Sequence, residues 1–131
     1  MATEVSSNVI ERLLSEARRA HPLECCGILL GHGEEIVQAG AAANVHPDPR
    51  QHFEIDPQAL IDAHRAARDG DLQVLGYYHS HPNGLAEPSA TDRAIAAPDG
   101  SVWAIIAAER ISFWRSGDAG FEALPYEVAP R

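Results

Sequence analysis

The chain has 131 residues, of which 45% are hydrophobic and 22% are charged, and this balance excludes a chain that is disordered throughout. Nineteen acidic residues against ten basic residues give a formal net charge of −9, so nucleic acid and anionic membranes are repelled as partners. A chain of this length can bury one sizeable core. We therefore expect a single domain over residues 1–131.

The first quarter of the chain bears on location and on redox chemistry. Glu4, Glu11 and Glu16 interrupt the apolar residues near the start, so there is neither a leader peptide pattern nor a membrane span, and we expect a cytoplasmic protein. Cys25 and Cys26 are neighbours in the sequence and cannot easily form a disulfide with each other. Reduced thiols in a reducing compartment are expected. Because no CxxC pair exists, a metal site must use histidines and carboxylates.

The first elements in chain order are a helix and a hairpin. Polar capping residues at 6–8 precede apolar residues at helical spacing, which predicts a helix that ends before Pro22. An apolar run over 25–30 is followed by glycines, and a second run covers 35–43. Two such runs around a glycine turn predict a β-hairpin.

The middle of the chain predicts a loop and a second helix. Residues 44–50 are rich in turn formers and predict a loop, after which a short strand is expected at 53–55. A helix is then predicted from Asp56-Pro57 to Gly70, because proline suits the first helical turn and glycine suits the end.

The second half predicts mainly strands. Alternation makes 72–81 the most strand-like segment, and it is followed by a loop over 82–88 and a short helix over 89–97. The remaining apolar runs predict three closing strands, at 102–107, 111–115 and 121–128. Helices alternate with strands early and strands accumulate late. This order predicts an α/β fold with a mixed β-sheet flanked by helices.

The end of the strongest strand carries a histidine pair. His79 and His81 are two residues apart, so in a strand both imidazoles project from the same face and can hold one ion between them. Pro82 ends the strand directly afterwards, which leaves the pair at the edge where ligand-binding crevices form. The alternative is two surface histidines at a strand end, because a short His-x-His match is weak motif information.

Ser89 and Asp92 begin the short helix at a spacing of three residues and share one face. Asp92 is the candidate third ligand. The same pattern is also that of a helix cap followed by an acidic residue, which satisfies free backbone N–H groups without any metal. The two roles of Ser89 are compatible if its backbone begins the helix while its hydroxyl faces the metal.

Two histidines and one aspartate leave a fourth Zn²⁺ position for water, as in catalytic zinc sites. Zinc lowers the pKa of that water to about 7, and a carboxylate must then move protons. Glu24 is the best candidate, because it stands between Pro22 and an apolar strand, where packing alone does not favour a charge. The alternative for Glu24 alone is an exposed loop acid.

Together these residues resemble the motif of the JAMM (MPN+) metallopeptidase family, in which a Glu is followed by His-x-His-Pro and then by Ser-x-x-Asp. Here Glu24 is followed by His79-Ser80-His81-Pro82 and by Ser89-Ala90-Thr91-Asp92. The residues around Glu24 are similar to the small bacterial members, and Asn44, Phe53 and the Asp56-Pro57 helix start extend the likeness. The resemblance covers residues 5–114.

The resemblance implies a cytidine-deaminase-like (JAB/MPN) sandwich with one Zn²⁺ per chain on His79, His81 and Asp92. It implies Glu24 as the general acid/base and Ser89 as the oxyanion stabiliser of a peptidase or isopeptidase. The implied substrate is the C-terminal glycine tail of a ubiquitin-like protein. Because the chain lacks room for long insertions after Asp92, a ThiS/MoaD-type sulfur carrier of the kind processed by CysO-cysteine peptidase-like proteins is expected.

Three alternatives stand beside this hypothesis. A non-catalytic MPN-like scaffold would bind partners without metal. A zinc deaminase requires His-x-Glu together with Pro-Cys-x-x-Cys, and the sequence has no Pro-Cys-x-x-Cys. A thiol protease based on Cys25 or Cys26 requires a base partner that the sequence does not single out. The apolar late strands are also a candidate surface for a homodimer.

Overall fold

The computed structural model describes residues 3–70 and 72–131. Within these residues the chain forms one mixed eight-stranded sheet with three helices. In chain order the elements are β1 (Thr3–Ser6), α1 (Ser7–Ala20), β2 (Cys26–His32), β3 (Glu35–Ala42), α2 (Pro57–Arg68), β4 (Gln73–Ser80), α3 (Ala90–Ile95), β5 (Val102–Ala107), β6 (Arg110–Gly117), β7 (Gly120–Ala123) and β8 (Tyr126–Ala129). The predicted mixed sheet flanked by helices is confirmed.

The sheet order is β7-β6-β5-β4-β2-β3-β1-β8, which places β4 in the middle. β4 pairs antiparallel with β2 on one side and parallel with β5 on the other. The predicted hairpin is present as β2 and β3, which pair antiparallel. A strand with a neighbour on each side cannot shift without breaking two ladders of hydrogen bonds. The carboxyl end of β4 is therefore a rigid support for side chains.

Helix α1 covers one face of the sheet and builds the main core. Val9 and Leu13 are fully buried in it and share a cluster with Tyr78 of β4. The Tyr78 hydroxyl donates a 2.7 Å hydrogen bond to the carboxylate of Glu16, which also pairs with Arg12. Burial is the main reason that the pKa of Tyr78 lies far above its ordinary value. This face of β4 packs against α1 and contributes to the core.

The opposite face of β4 carries the first histidine of the pair and borders an apolar cleft. Because side chains alternate along a strand, Tyr77 and His79 point away from α1. An apolar cleft of about 350 Å³ lies on this side, lined by Leu60 of α2, Tyr77 and Trp103 among others. Helix α2 and the histidines therefore share a face, and α1 supports the sheet from behind.

Two predicted strands need correction, and one observed strand was not predicted. Residues 121–128 are not one strand: β7 pairs with β6 at one edge of the sheet, whereas β8 pairs with β1 at the other. The break falls at Pro125, which has no N–H to donate to a ladder. Residues 53–55 contribute only an isolated bridge, from Ile55 to Asn44. Strand β1 was not predicted, since the four residues have neighbours only through distant parts of the chain.

Candidate metal centre

The histidine pair lies where β4 ends. His79 is the penultimate strand residue and His81 follows the strand directly. The backbone N–H of His81 donates a 2.8 Å hydrogen bond to the carbonyl of Ile106, so β5 supports the second histidine beyond the formal end of β4. His79 is 0% exposed and His81 is 7% exposed. These are not the freely exposed histidines of the alternative interpretation.

Asp92 reaches the pair from α3 and is itself buried. Its Oδ2 lies 3.1 Å from Nε2 of His79 and 3.1 Å from Nε2 of His81, and the two nitrogens are 2.9 Å apart. Bonds of about 2.0–2.1 Å to Zn²⁺ place tetrahedral ligand atoms about 3.3–3.4 Å apart. The observed triangle is a few tenths of an ångström smaller, so modest side-chain adjustment fits the ion.

The hydrogen bonds around His81 show which of its nitrogens faces the centre as an acceptor. Nδ1 of His81 lies 2.7 Å from the carbonyl of Leu85, which can only accept, so Nδ1 carries the hydrogen. In the neutral ring Nε2 then has a lone pair, and it faces the carboxylate of Asp92. Two electron-rich atoms that converge in a buried place need a proton or a cation between them. The donor set therefore suits a metal ion.

The acid–base properties of His79 and Asp92 agree with this conclusion, whereas those of His81 reflect its contact with the Asp92 carboxylate. Burial lowers the pKa of His79. Burial alone would raise the pKa of Asp92, but its hydrogen bonds with His79 and His81 outweigh burial and lower it. For His81 burial acts downward, whereas the hydrogen bonds to Asp92 and to the Leu85 carbonyl raise the pKa overall. Asp92 is thus ionised and His79 neutral at neutral pH, which are the forms that bind metal.

Glu24 comes to this centre because it lies just before β2, next to the pairing of β2 with β4. In the antiparallel ladder Cys26 is opposite His79, and the carbonyl of Cys25 accepts the N–H of Ser80. Extending this register by one more pair puts Glu24 opposite His81, and directly opposite residues share a face. Glu24 is 6% exposed, so it is not the exposed loop acid of the alternative interpretation.

The environment of Glu24 suits proton transfer. Burial raises its pKa to about 7; the charge of His81 acts downward, and those of Asp92 and Asp48 act upward. A carboxyl group with a pKa near 7 can both take and return a proton at neutral pH, which is the property a general acid/base needs. The structure therefore brings the predicted base beside the predicted ligands, although 55 or more residues separate them in sequence.

Ser89 performs the predicted capping. Its hydroxyl accepts a 3.0 Å hydrogen bond from the N–H of Asp92, and Asp92 Oδ2 accepts a 2.9 Å bond from the N–H of Ser89. This reciprocal pair is a capping box that begins α3 and fixes the Asp92 carboxylate. The hydroxyl acts only as an acceptor in this contact, and Ser89 is exposed. Its own hydrogen is therefore available for donation to a ligand.

The family model for prokaryotic homologues of the JAB domain matches residues 6–117. The chain belongs to this family. Among curated relatives, the desampylase of Haloferax volcanii is 31% identical over 80% of this chain and 77% of its own length. The probable TtuB-protein conjugate cleaving protease of Thermus thermophilus is 39% identical over 63% of this chain and 59% of its own. The CysO-cysteine peptidase of Mycobacterium tuberculosis is 29% identical over 72% of this chain and 66% of its own.

Solved structures place this JAB domain among known folds. A protein from Desulfitobacterium hafniense, 26% identical, superposes with a TM-score of 0.84 over 98% of this chain and 93% of its own. A structure described as a metalloprotease-like zinc site in the proteasome and signalosome superposes with a TM-score of 0.63 at 18% identity, over 98% of this chain and 99% of its own. The second likeness shows a shared fold. The resemblance to the JAMM family is confirmed.

Aromatic side chains around this JAB domain's centre were not assigned from the sequence. Phe53 stacks on the His79 ring with centroids 4.1 Å apart and planes inclined by 18°, and Trp103 meets the same ring edge-on at 5.7 Å. They hold the His79 ring, whose Nδ1 has no hydrogen-bond partner among the described residues. The apolar run over 102–107 predicted a strand, but nothing local indicated contact with a ligand.

The thiols do not form a second candidate site. Cys25 and Cys26 are both free, and burial raises the pKa of Cys26 to about 12. A thiol that stays protonated at neutral pH is a poor nucleophile. This observation argues against the thiol protease. In the described part of the chain, no helix combines the length and apolarity that a membrane crossing requires.

Proposed function

We propose that this chain is a zinc-dependent peptidase or isopeptidase that hydrolyses the bond after the C-terminal glycine of a ubiquitin-like or sulfur-carrier protein. The convergence of the His79, His81 and Asp92 ligand atoms within 3.1 Å of one another, with Glu24 on the same face, is the observation that carries the proposal. The names of the three relatives support the substrate class. One Zn²⁺ per chain is proposed, with these three residues as its ligands.

Zinc bound by these residues would lower the pKa of a water molecule to about 7 and polarise the scissile carbonyl. Glu24 accepts a proton from the attacking water as the new C–O bond forms. Glu24 then passes that proton to the nitrogen of the leaving amine as the C–N bond breaks, so its own charge is restored. Its pKa of about 7 suits both transfers.

Ser89 stabilises the developing negative charge on the carbonyl oxygen. Its hydroxyl accepts from the Asp92 N–H, which fixes the oxygen in place and leaves the O–H hydrogen to donate. A donor fixed before the reaction needs no reorganisation when the charge develops. The same side chain thus begins α3, orients the third ligand and serves the reaction.

We propose that residues 1–131 act as one catalytic domain, since the site residues lie in or beside a single continuous sheet. The free thiols of Cys25 and Cys26 support a reducing compartment, and the cytoplasm is the proposed location. The homodimer remains a prediction.

The test is hydrolysis of carrier adducts by the native chain and by Glu24→Gln. A panel of sulfur carriers, each ending in glycine bonded to cysteine or through an isopeptide bond to lysine, is incubated with protein of measured zinc content. Masses of the products identify the cleaved bond. We expect cleavage by the native chain, and retained zinc with lost cleavage in Glu24→Gln.

Glu11→Gln is the matched control, because Glu11 is an exposed carboxylate on α1, on the far side of the sheet. It should cleave at the native rate. Full activity in Glu24→Gln would refute the assignment of the base. Protein purified without chelator that contains no zinc and cleaves no adduct would favour the non-catalytic scaffold.

A further inference from the structure

The position of Glu24 depends on contacts outside regular structure. Glu24 lies between α1 and β2, where neither a helix nor a strand ladder holds its peptide group. Its N–H donates a 2.7 Å hydrogen bond to the carbonyl of Pro49, and its carbonyl accepts a 3.0 Å bond from Nδ2 of Asn44. Within the described residues no side chain donates a hydrogen bond to the Glu24 carboxylate. Its placement is therefore set through its backbone.

The side-chain amide of Asn44 makes all of its hydrogen bonds to main-chain groups around Glu24. Besides the carbonyl of Glu24, its Nδ2 donates to the carbonyl of His52 at 3.0 Å. Its Oδ1 accepts the N–H of His46 at 3.1 Å and the N–H of Glu54 at 3.0 Å. One side-chain amide thus makes four hydrogen bonds, all to main-chain groups. It joins the segment that carries Glu24 to both ends of the loop over 45–54.

The same loop reaches a metal ligand. Phe53 lies between two residues whose main chains bond to Asn44, and its ring stacks on His79. The loop also supplies the Pro49 carbonyl that holds the N–H of Glu24. Asn44 therefore joins the proposed base on one side to the aromatic wall of a proposed ligand on the other.

We propose that Asn44 is a positioning residue that holds Glu24 at the distance and angle that proton transfer requires. This inference rests on the proposed function, in which Glu24 is the base. Two of the four contacts use the Nδ2 donor and two use the Oδ1 acceptor, so the requirement is specific to an amide. A carboxylate of the same shape would keep the acceptor contacts but would face the carbonyls of Glu24 and His52 without a hydrogen to donate.

The experiment compares Asn44→Asp with the native chain in zinc content, kcat and KM. We expect zinc content to be unchanged because none of the ligands is altered, and kcat to fall roughly 10–100-fold because a small misplacement of a reacting group has an effect of that size. KM should stay within about twofold. Asn8→Asp is the matched control: the same chemical change, at an exposed residue in the first turn of α1, should leave kcat native.

A double mutant separates positioning from general damage. If Asn44 acts through Glu24, adding Asn44→Asp to Glu24→Gln should leave the residual rate unchanged, since the base is already lost. An equal further loss in the double mutant would show structural damage and overturn the proposal. Native kcat in Asn44→Asp would overturn it as well.

Titration of the Glu24 carboxyl provides a second test that does not depend on enzymatic activity. In metal-free protein with ¹³C-labelled glutamate, the Glu24 carboxyl should titrate near pH 7 in the native chain, and Asn44→Ser, which adds no charge, should move its pKa toward 4.5 as the group leaves its buried position. An unchanged titration would overturn the proposal even if Asn44→Asp fails to fold. Full activity of Glu24→Gln would refute the proposed base itself, while this titration would still test whether Asn44 holds Glu24.

Discussion

The buried carboxyl of Glu24 should make the metal-free protein less stable as pH rises. Its pKa is about 7 in the folded chain and 4.5 ordinarily, so between these values the folded state binds more protons than the unfolded state. Stability rises with pH only where the unfolded state binds more protons, so here it falls. The loss begins near pH 4.5 and is complete above pH 7.

The size of the effect follows from the shift. One pKa unit corresponds to about 1.4 kcal/mol, which gives an upper bound of about 3 kcal/mol for Glu24. Relaxation of the surroundings and water penetration reduce such a penalty below its upper bound, and we expect about 1–2 kcal/mol. Glu24→Gln removes the ionisation, so it should be more stable than the native chain by this amount at pH 8 and equally stable at pH 4.5.

The assay is urea unfolding of chelator-treated protein at a series of pH values. The difference between Glu24→Gln and the native chain reports the ionisation of Glu24 together with its coupling to His81, because the titrations of distant groups are common to both proteins. Glu11→Gln provides the reference for an exposed carboxyl and should show no such trend. A difference that is constant from pH 4.5 to pH 8, or a native chain that is more stable than Glu24→Gln at pH 8, would refute the reasoning.

Three further predictions concern the centre and its support. Ser89→Ala should retain zinc, but its turnover should fall about a hundredfold and its free energy of unfolding by about 1 kcal/mol, whereas Ser89→Thr should keep the helix cap. Steady-state rates measure the turnover and unfolding curves measure the stability. Native turnover in Ser89→Ala would exclude the oxyanion role. Zinc at a thousandfold excess over its Kd should raise the free energy of unfolding of chelator-treated protein by about 4 kcal/mol and so raise its melting temperature. Calorimetry should show a weaker response in Asp92→Asn. Gly76→Ala should destabilise the fold by about 3 kcal/mol, because the new Cβ would lie 1.8 Å from the carbonyl oxygen of Val102. Because Gly76 lies in the strand that carries His79, zinc content should fall as well. An unchanged unfolding midpoint would contradict this prediction.

Local patterns in the sequence were sufficient to identify the proposed ligands. His79 and His81 are two residues apart in one strand, and Ser89 and Asp92 are three apart at one helix start. In both cases regular backbone geometry places the side chains on one face without any distant contact. The same kind of local signal predicted the hairpin, the helices and the central strand. The mixed sheet followed from the order of these elements.

The contacts between distant segments needed the tertiary structure. The approach of Glu24 to His81 depends on strand register, and the hydrogen bonds of Asn44 depend on how one loop closes over it. His81 is oriented by the carbonyl of Leu85, a group that every residue possesses and that no sequence pattern reveals. The placement of β7 and β8 at opposite edges of the sheet also depends on pairing between distant segments and follows from no local pattern.

The sequence by itself therefore determined the candidate ligands of the centre, because they come from short segments whose geometry is set by the backbone. Only the tertiary structure decided how the proposed base is held beside them. That arrangement depends on the β2–β4 register and on the Asn44 side chain, which connects Glu24 to a loop more than twenty residues further along the chain. Pairing over such separations reflects the packing of the whole sheet and is not encoded in any one segment.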